Sequence, residues 1–164
     1  MSYQTTIELH KEDMKFSSGH YTIFGPGHRE KLHGHNFTLY AAITTEADDN
    51  GMAFDYDIYK EKLRKLCKSL SGYFLLPANS PYQTIEHTDD YIIVHFGKEK
   101  IPFPKQDVLL LPVKNITVEE LARWFIDQLI ADPKEIKDYA INRLHIKVYS
   151  APGQCGTAEW SAAI

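Results

Sequence analysis

Polar and apolar residues alternate along four stretches of the chain, and each alternation predicts a β-strand. From Thr5 to Phe16, Ile7 and Leu9 face one way and Thr6 and Glu8 the other, and Ser17 to His20 continue the same strand. From Asn36 to Thr45 the apolar positions are Phe37, Leu39, Ala41 and Ile43. Leu144, Ile146 and Val148 alternate from Arg143 to Ser150, and Thr157 to Ile164 reads as the last strand. Two other stretches have a helical period. Tyr59, Leu63, Leu66 and Leu70 form a stripe on a helix opened by Phe54-Asp55-Tyr56, with Asp55 as N-cap and Gly72 as stop. Leu121, Trp124, Phe125, Leu129 and Ile130 form the apolar face of a second helix. Thr117 caps it, and Glu120 at the third helical position completes a capping box. Pro133 to Tyr139 predicts a short helical turn.

Between the two helices the pattern breaks. Phe74 to Asp90 is irregular, with Pro77, Asn79, Ser80 and Pro81. Tyr91 to Phe96 and Val108 to Leu111 are short β-like runs, read as an inserted hairpin over about residues 91–111. The element order predicts one α+β domain over residues 1–164. Its expected architecture is an antiparallel four-stranded sheet with two main helices on one face, plus that hairpin.

Composition narrows the partners. The formal net charge is −4 with no long basic run, which disfavours nucleic acid and anionic membranes. There is no twenty-residue apolar stretch, and Ser2 to Thr6 is polar rather than signal-like, so the expected location is the cytoplasm. Cys67 and Cys155 are too few for a disulfide framework. Cys67 lies beside a helical apolar stripe and reads as a core thiol, while Cys155 lies in a late turn.

The chemistry concentrates between Gly19 and Asn36, which hold four of the eight histidines. His33 and His35 are two apart, so a strand would put both imidazoles on one face. His20 ends the preceding strand. Gly25-Pro26-Gly27 supplies the turn that could bring it back beside the pair. Three imidazoles with an open position suit a catalytic zinc ion, although other divalent metals also take imidazole. His28 has no strand partner and reads as a solvated loop residue.

Taken together, the motifs carry a resemblance. They are Phe16-Ser-Ser-Gly-His20, Leu32-His-Gly-His-Asn36, Gly51-Met-Ala-Phe-Asp55-Tyr with Lys60 on the following helix, and Thr117-Val-Glu119-Glu-Leu-Ala. In this order and over about two-thirds of the chain, they resemble the 6-pyruvoyl-tetrahydropterin and 6-carboxy-tetrahydropterin synthase family. The resemblance implies a tunnelling fold assembled as a homo-oligomer, a trimer or hexamer. It implies Zn2+ on His20, His33 and His35, and a pterin-like substrate such as 7,8-dihydroneopterin triphosphate. It also implies a cysteine before the His-Gly-His, an Asp-His proton relay, and a glutamate after the late strand that anchors the ring.

This chain departs from that pattern at each of the last three. The segment before the His pair is His28-Arg29-Glu30-Lys31-Leu32, without cysteine. Glu30 is the candidate base, as in the branch whose product is a 6-hydroxymethyl-dihydropterin, and Arg29 could meet a phosphate. The relay positions carry Ser71 and Gly72, and the anchor position carries Ser150. Ser150 and, more distantly, Glu159 are the candidates for contact with the ring. Two readings follow: a zinc-dependent lyase with altered relay and anchor, or a non-catalytic zinc-stabilised oligomer that binds a pterin- or purine-like ring.

Overall fold

The computed structural model describes residues 2–163. β1 (Tyr3–Leu9) and β2 (Lys15–His20) are followed by a small hairpin, β3 (Ile23–Gly25) and β4 (His28–Arg29), and by a fifteen-residue strand, β5 (His33–Ala47). β1 and β2 both lie antiparallel to β5, one behind the other. β1 covers its later half, from Tyr3↔Ala47 to Leu9↔Ala41, and β2 its beginning, from Lys15↔Thr38 to His20↔His33. The single first strand expected over Thr5 to His20 is therefore two. The break is a turn in which Met14 N–H donates to the Lys11 carbonyl. It lets Leu9, Met14 and Phe16 all reach the core although they do not share one alternation phase.

α1 (Asp57–Leu70) buries Tyr59, Leu63, Cys67 and Leu70. Asp55 stands one residue before the capping position expected of it, and its carboxylate accepts the Asp57 N–H. The irregular stretch expected after Phe74 contains regular structure. β6 (Phe74–Pro77) extends the main sheet, and β7 (Gln83–His87), β8 (Tyr91–Phe96) and β9 (Glu99–Pro104) form a separate antiparallel meander. β10 (Val108–Leu111) does not pair with β8, as the hairpin reading expected. It runs parallel to β6, with Leu75 opposite Leu109. The insertion is thus a three-stranded sheet, and its return strand belongs to the main sheet. This meander packs on Tyr21, Ile23 and Leu76 through Ile92, Val94, Phe96 and Phe103, a second small core.

α2 (Val118–Leu129) buries Leu121, Trp124, Phe125 and Leu129. Thr117 accepts the Glu120 N–H as expected, but the Glu120 carboxylate accepts from Lys114 N–H rather than closing the box. α3 (Pro133–Asp138) is capped by Asp132. β11 (Arg143–Ala151) and β12 (Gln154–Ser161) form the final hairpin.

The main sheet has seven strands, in the order β10-β6-β2-β5-β11-β12 with β1 also on β5, and it is mixed because β6 pairs parallel with β10 and β2. This corrects the four-stranded antiparallel expectation while keeping the α+β class. α2 packs against β11 and β12, and α1 against β2. Gly156 is what lets α2 approach, since a Cβ there would lie 2.5 Å from backbone atoms of Val118 and Glu119. Among the described residues no helix is long and apolar enough to cross a membrane.

Candidate metal centre

The β2–β5 ladder sets His20 opposite His33 and Ser18 opposite His35. Cross-strand partners share a face, so the three imidazoles converge. One ring nitrogen from each of His20, His33 and His35 lies within 4.8 Å of the others. The Nε2 atoms of His33 and His35 are 3.1 Å apart.

Two of the other ring nitrogens meet backbone carbonyls. His20 Nδ1 lies 2.8 Å from the Ile116 carbonyl and His33 Nδ1 lies 2.7 Å from the Lys31 carbonyl. A carbonyl can only accept, so both Nδ1 atoms carry the proton and both Nε2 lone pairs face the centre. His20 is 5% exposed, and its buried Nε2 has no hydrogen-bond partner among the described residues. Burial, with His33 and His35 adjacent, holds His20 below the ordinary imidazole range, against the pull of the Ile116 hydrogen bond. His20 therefore favours neutral imidazole, the form that binds a metal. A buried lone pair without a donor and backbone carbonyls as outer partners are what a divalent cation site requires.

Three residues that the sequence reading passed over build this arrangement. Asn115 accepts the N–H groups of Ile23 and Ile116 through Oδ1 and donates through Nδ2 to the Ile23 carbonyl. It thereby ties the β3 strand to the segment whose carbonyl orients His20. Thr22 donates its backbone N–H to Glu30 Oε2 at 3.0 Å and accepts the Glu30 N–H. Ser18 Oγ donates to the Leu70 carbonyl and anchors the end of α1 against β2.

Glu30 stands beside the centre, with Oε2 3.6 Å from His33 Nε2. Burial alone would raise its carboxyl. The Thr22 hydrogen bonds and the neighbouring His33 and His20 outweigh that and hold it below the usual carboxylate range. It does not join the three-imidazole group, which leaves a coordination position without a protein ligand among the described residues.

The remaining candidates fall elsewhere. Arg29 gives Nε and Nη2 to Glu99 on β9 and Nη1 to the Glu30 carbonyl, and its guanidinium lies over the Tyr21 ring. It ties the meander to the β3–β4 hairpin, and contact with a phosphate would require release of Glu99. Ser150 sits at a register shift between Tyr149 and Ala151, where its Oγ accepts from Gln154 Nε2 at 3.0 Å. Glu159 pairs with Arg143 and His145. His145 lies opposite Ala42, seven residues along β5 from His35. That is about 23 Å at about 3.3 Å per residue, so Glu159 does not meet the triad within one chain. At the relay positions, Ser71 Oγ accepts the Ser17 N–H, and Gly72 adopts a φ of +87° with open space where a side chain would stand.

Known proteins resemble this chain in sequence and in fold. The sequence profile described as 6-pyruvoyl tetrahydropterin synthase matches residues 8–160. A Methanocaldococcus jannaschii protein, provisionally named 6-carboxy-5,6,7,8-tetrahydropterin synthase, is 27% identical over 142 residues, covering 86% of this chain and 86% of its own. The solved 6-pyruvoyl tetrahydropterin synthase of Plasmodium vivax superposes with a TM-score of 0.91 at 28% identity, covering 98% of this chain and 99% of that one. That of Plasmodium falciparum does so with a TM-score of 0.91 at 27% identity, over 97% and 99%. The Plasmodium vivax enzyme has also been solved with a glutamate described as a catalytic residue replaced by alanine or cysteine. On this match the chain belongs to the 6-pyruvoyl tetrahydropterin synthase family.

Proposed function

We propose that the protein is a zinc-dependent carbon–oxygen or carbon–carbon lyase acting on 7,8-dihydroneopterin triphosphate or a closely related pterin. The observation that carries this is the imidazole triad. Two backbone carbonyls orient its proton-bearing nitrogens, its buried Nε2 lacks a donor, and it lies in a chain of a pterin synthase family. His20, His33 and His35 hold the metal, which when bound supplies Lewis acidity toward the oxygens of the substrate side chain.

Glu30 is the base. Its carboxylate is ionised and held by the Thr22 N–H beside the open side of the triad. From there it accepts the proton that leaves a side-chain carbon or hydroxyl. The Plasmodium vivax relative likewise has a glutamate described as a catalytic residue, which supports this role. Ser150 offers a hydroxyl at the edge of the same end of the sheet. The protein works as a homo-oligomer in the cytoplasm. Among the described residues, the outer edge of β12 and the first residues of β5 on their β11 side have no strand partner within one chain, which suits association with further copies.

A second reading is favoured by Ser71 and Gly72, which cannot relay a proton as an Asp-His pair does. In that reading the protein binds a pterin- or purine-like ring without turnover. One experiment separates the two. Zinc-loaded protein and its His35→Ala variant are incubated with 7,8-dihydroneopterin triphosphate, and the products are identified by mass spectrometry. A product formed only by the zinc-loaded protein establishes the lyase, and its side-chain length names the reaction. Bound but unchanged substrate establishes the second reading.

A further inference from the structure

Glu30 stands at the end of a ribbon too small to hold itself. The β3–β4 hairpin has two ladder positions, Ile23↔Arg29 and Gly25↔His28, and it is a sheet of its own, with no ladder to the main sheet among the described residues. A two-stranded hairpin is marginal in water. What fixes Glu30 beside the triad therefore includes supports from outside the hairpin. One is Asn115, which binds both backbone groups of Ile23. The other is the inserted meander.

The meander grips the hairpin through both of its outer strands. From β7, Gln83 Oε1 accepts the Tyr21 hydroxyl at 2.8 Å, on the segment that leads into β3. From β9, Glu99 holds Arg29. The Arg29 Nε donates to Glu99 Oε2 at 2.9 Å, and Nη2 donates to the same oxygen. Its Nη1 donates at 2.7 Å to the carbonyl of Glu30. One planar fork thus has a carboxylate of the insertion on one side and the backbone of Glu30 on the other. The guanidinium lies 5.1 Å from the ring centre of Tyr21 and 6.0 Å from that of Phe96, both of them buried rings. Glu99 is itself well fixed. It opens β9 opposite Phe96, directly after the two-residue turn of Gly97 and Lys98. A Cβ on Gly97 would lie 3.8 Å from the Cα of Gly27, so the turns of the two hairpins lie against each other.

We propose that the meander is a positioning element for the reaction, in which Glu99, acting through Arg29, holds the backbone of Glu30 so that its carboxylate stands beside the imidazole triad. The inference rests on the lyase reading above and adds to it a residue from the insertion.

Turnover of 7,8-dihydroneopterin triphosphate by the zinc-loaded protein tests this. Glu99→Ala lowers kcat about tenfold or more and leaves KM and zinc content within about twofold, because a displaced group costs rate in the chemical step. Glu99→Gln stays within about threefold of the wild-type protein. Both bonds from Arg29 to Glu99 end on one oxygen, and a carboxamide oxygen can accept both. In a Glu30→Gln background, Glu99→Ala lowers the residual rate less than about twofold, since the group it positions has gone. A general loosening of the fold would cost as much in that background as in the wild type. Equal losses in the two backgrounds, or full activity of Glu99→Ala, overturn the inference while the lyase reading survives. Amide exchange gives a readout that needs no substrate. The Glu30 N–H, bonded to the Thr22 carbonyl, exchanges about tenfold or more faster in Glu99→Ala, and the amides of β5 near Ile43 keep their rates. An unchanged Glu30 amide also overturns the inference. No turnover by the wild-type protein overturns the lyase reading and this inference with it.

Discussion

The Nδ1 atom of His20 lies 2.8 Å from the carbonyl oxygen of Ile116, ninety-six residues further along the chain. The buried imidazole of the triad is therefore oriented by the segment that leads into α2, and that segment is held by Asn115. Replacing Asn115 with alanine leaves all three imidazoles in place but frees this support. The expected result is a 10–100-fold loss of zinc affinity, measured by competition with a chromophoric chelator. Unchanged affinity would mean that β2 alone orients His20.

Metal binding should also appear as stability. A ligand at 100 times its dissociation constant stabilises the folded state by about 2.7 kcal/mol. For a chain of this length that corresponds to roughly 5–10 °C in melting temperature. Chelator should lower the melting temperature of the wild-type protein by this order and leave His35→Ala unmoved. An equal response in both would place the stabilising metal elsewhere.

Glu30→Gln keeps the shape of the side chain and removes the base. Turnover should fall by about 10²- to 10⁴-fold with zinc content unchanged. Retained full activity would take Glu30 out of the mechanism.

The two thiols should behave oppositely. Burial, with Asp13 nearby, pushes the Cys67 thiol up to about 12, so at pH 8 it is protonated as well as enclosed. Cys155 is exposed. A disulfide reagent at pH 8 should therefore titrate one thiol per native chain and two after denaturation. Rapid modification of both in the native protein would contradict the burial of Cys67.

Gly156→Ala forces a methyl group to within 2.5 Å of the backbone at Val118 and Glu119. Backbone cannot swing aside as a side chain can, so α2 must lift from β12. The expected cost is about 1–3 kcal/mol, read from urea denaturation. A smaller change would show that α2 slides without loss of packing.

Some of this was legible from the residues. The pairing of His20 with His33 follows from a short loop with a Gly-Pro-Gly turn between two alternating runs, because local hairpins leave their signal in the sequence. The break between β1 and β2 was not read, although the five-residue step from Leu9 to Met14 shifts the alternation phase. The parallel pairing of Leu75 with Leu109 was not legible. Parallel strands need a crossover rather than a tight turn, and here the crossover is itself a sheet. Nor could the outer partners of the triad be read. The carbonyls of Lys31 and Ile116 belong to the backbone, which every residue has, so nothing in the residue types marks them. Of the site, the three imidazoles were visible and their supports were not.

β5 is flanked on both sides over Ala41 to Thr44, by β1 and by β11, but among the described residues positions 33–37 are flanked only by β2. The strand is consequently firm at one end and lightly held at the other. Amide exchange should report this as a gradient: protons near Ile43 are released only with global unfolding, and those near His35 through small openings that leave the fold intact. The two imidazoles of this strand sit at the loose end. The folded chain can thus open there without passing through the unfolded state, as exchange of an ion at these imidazoles would require.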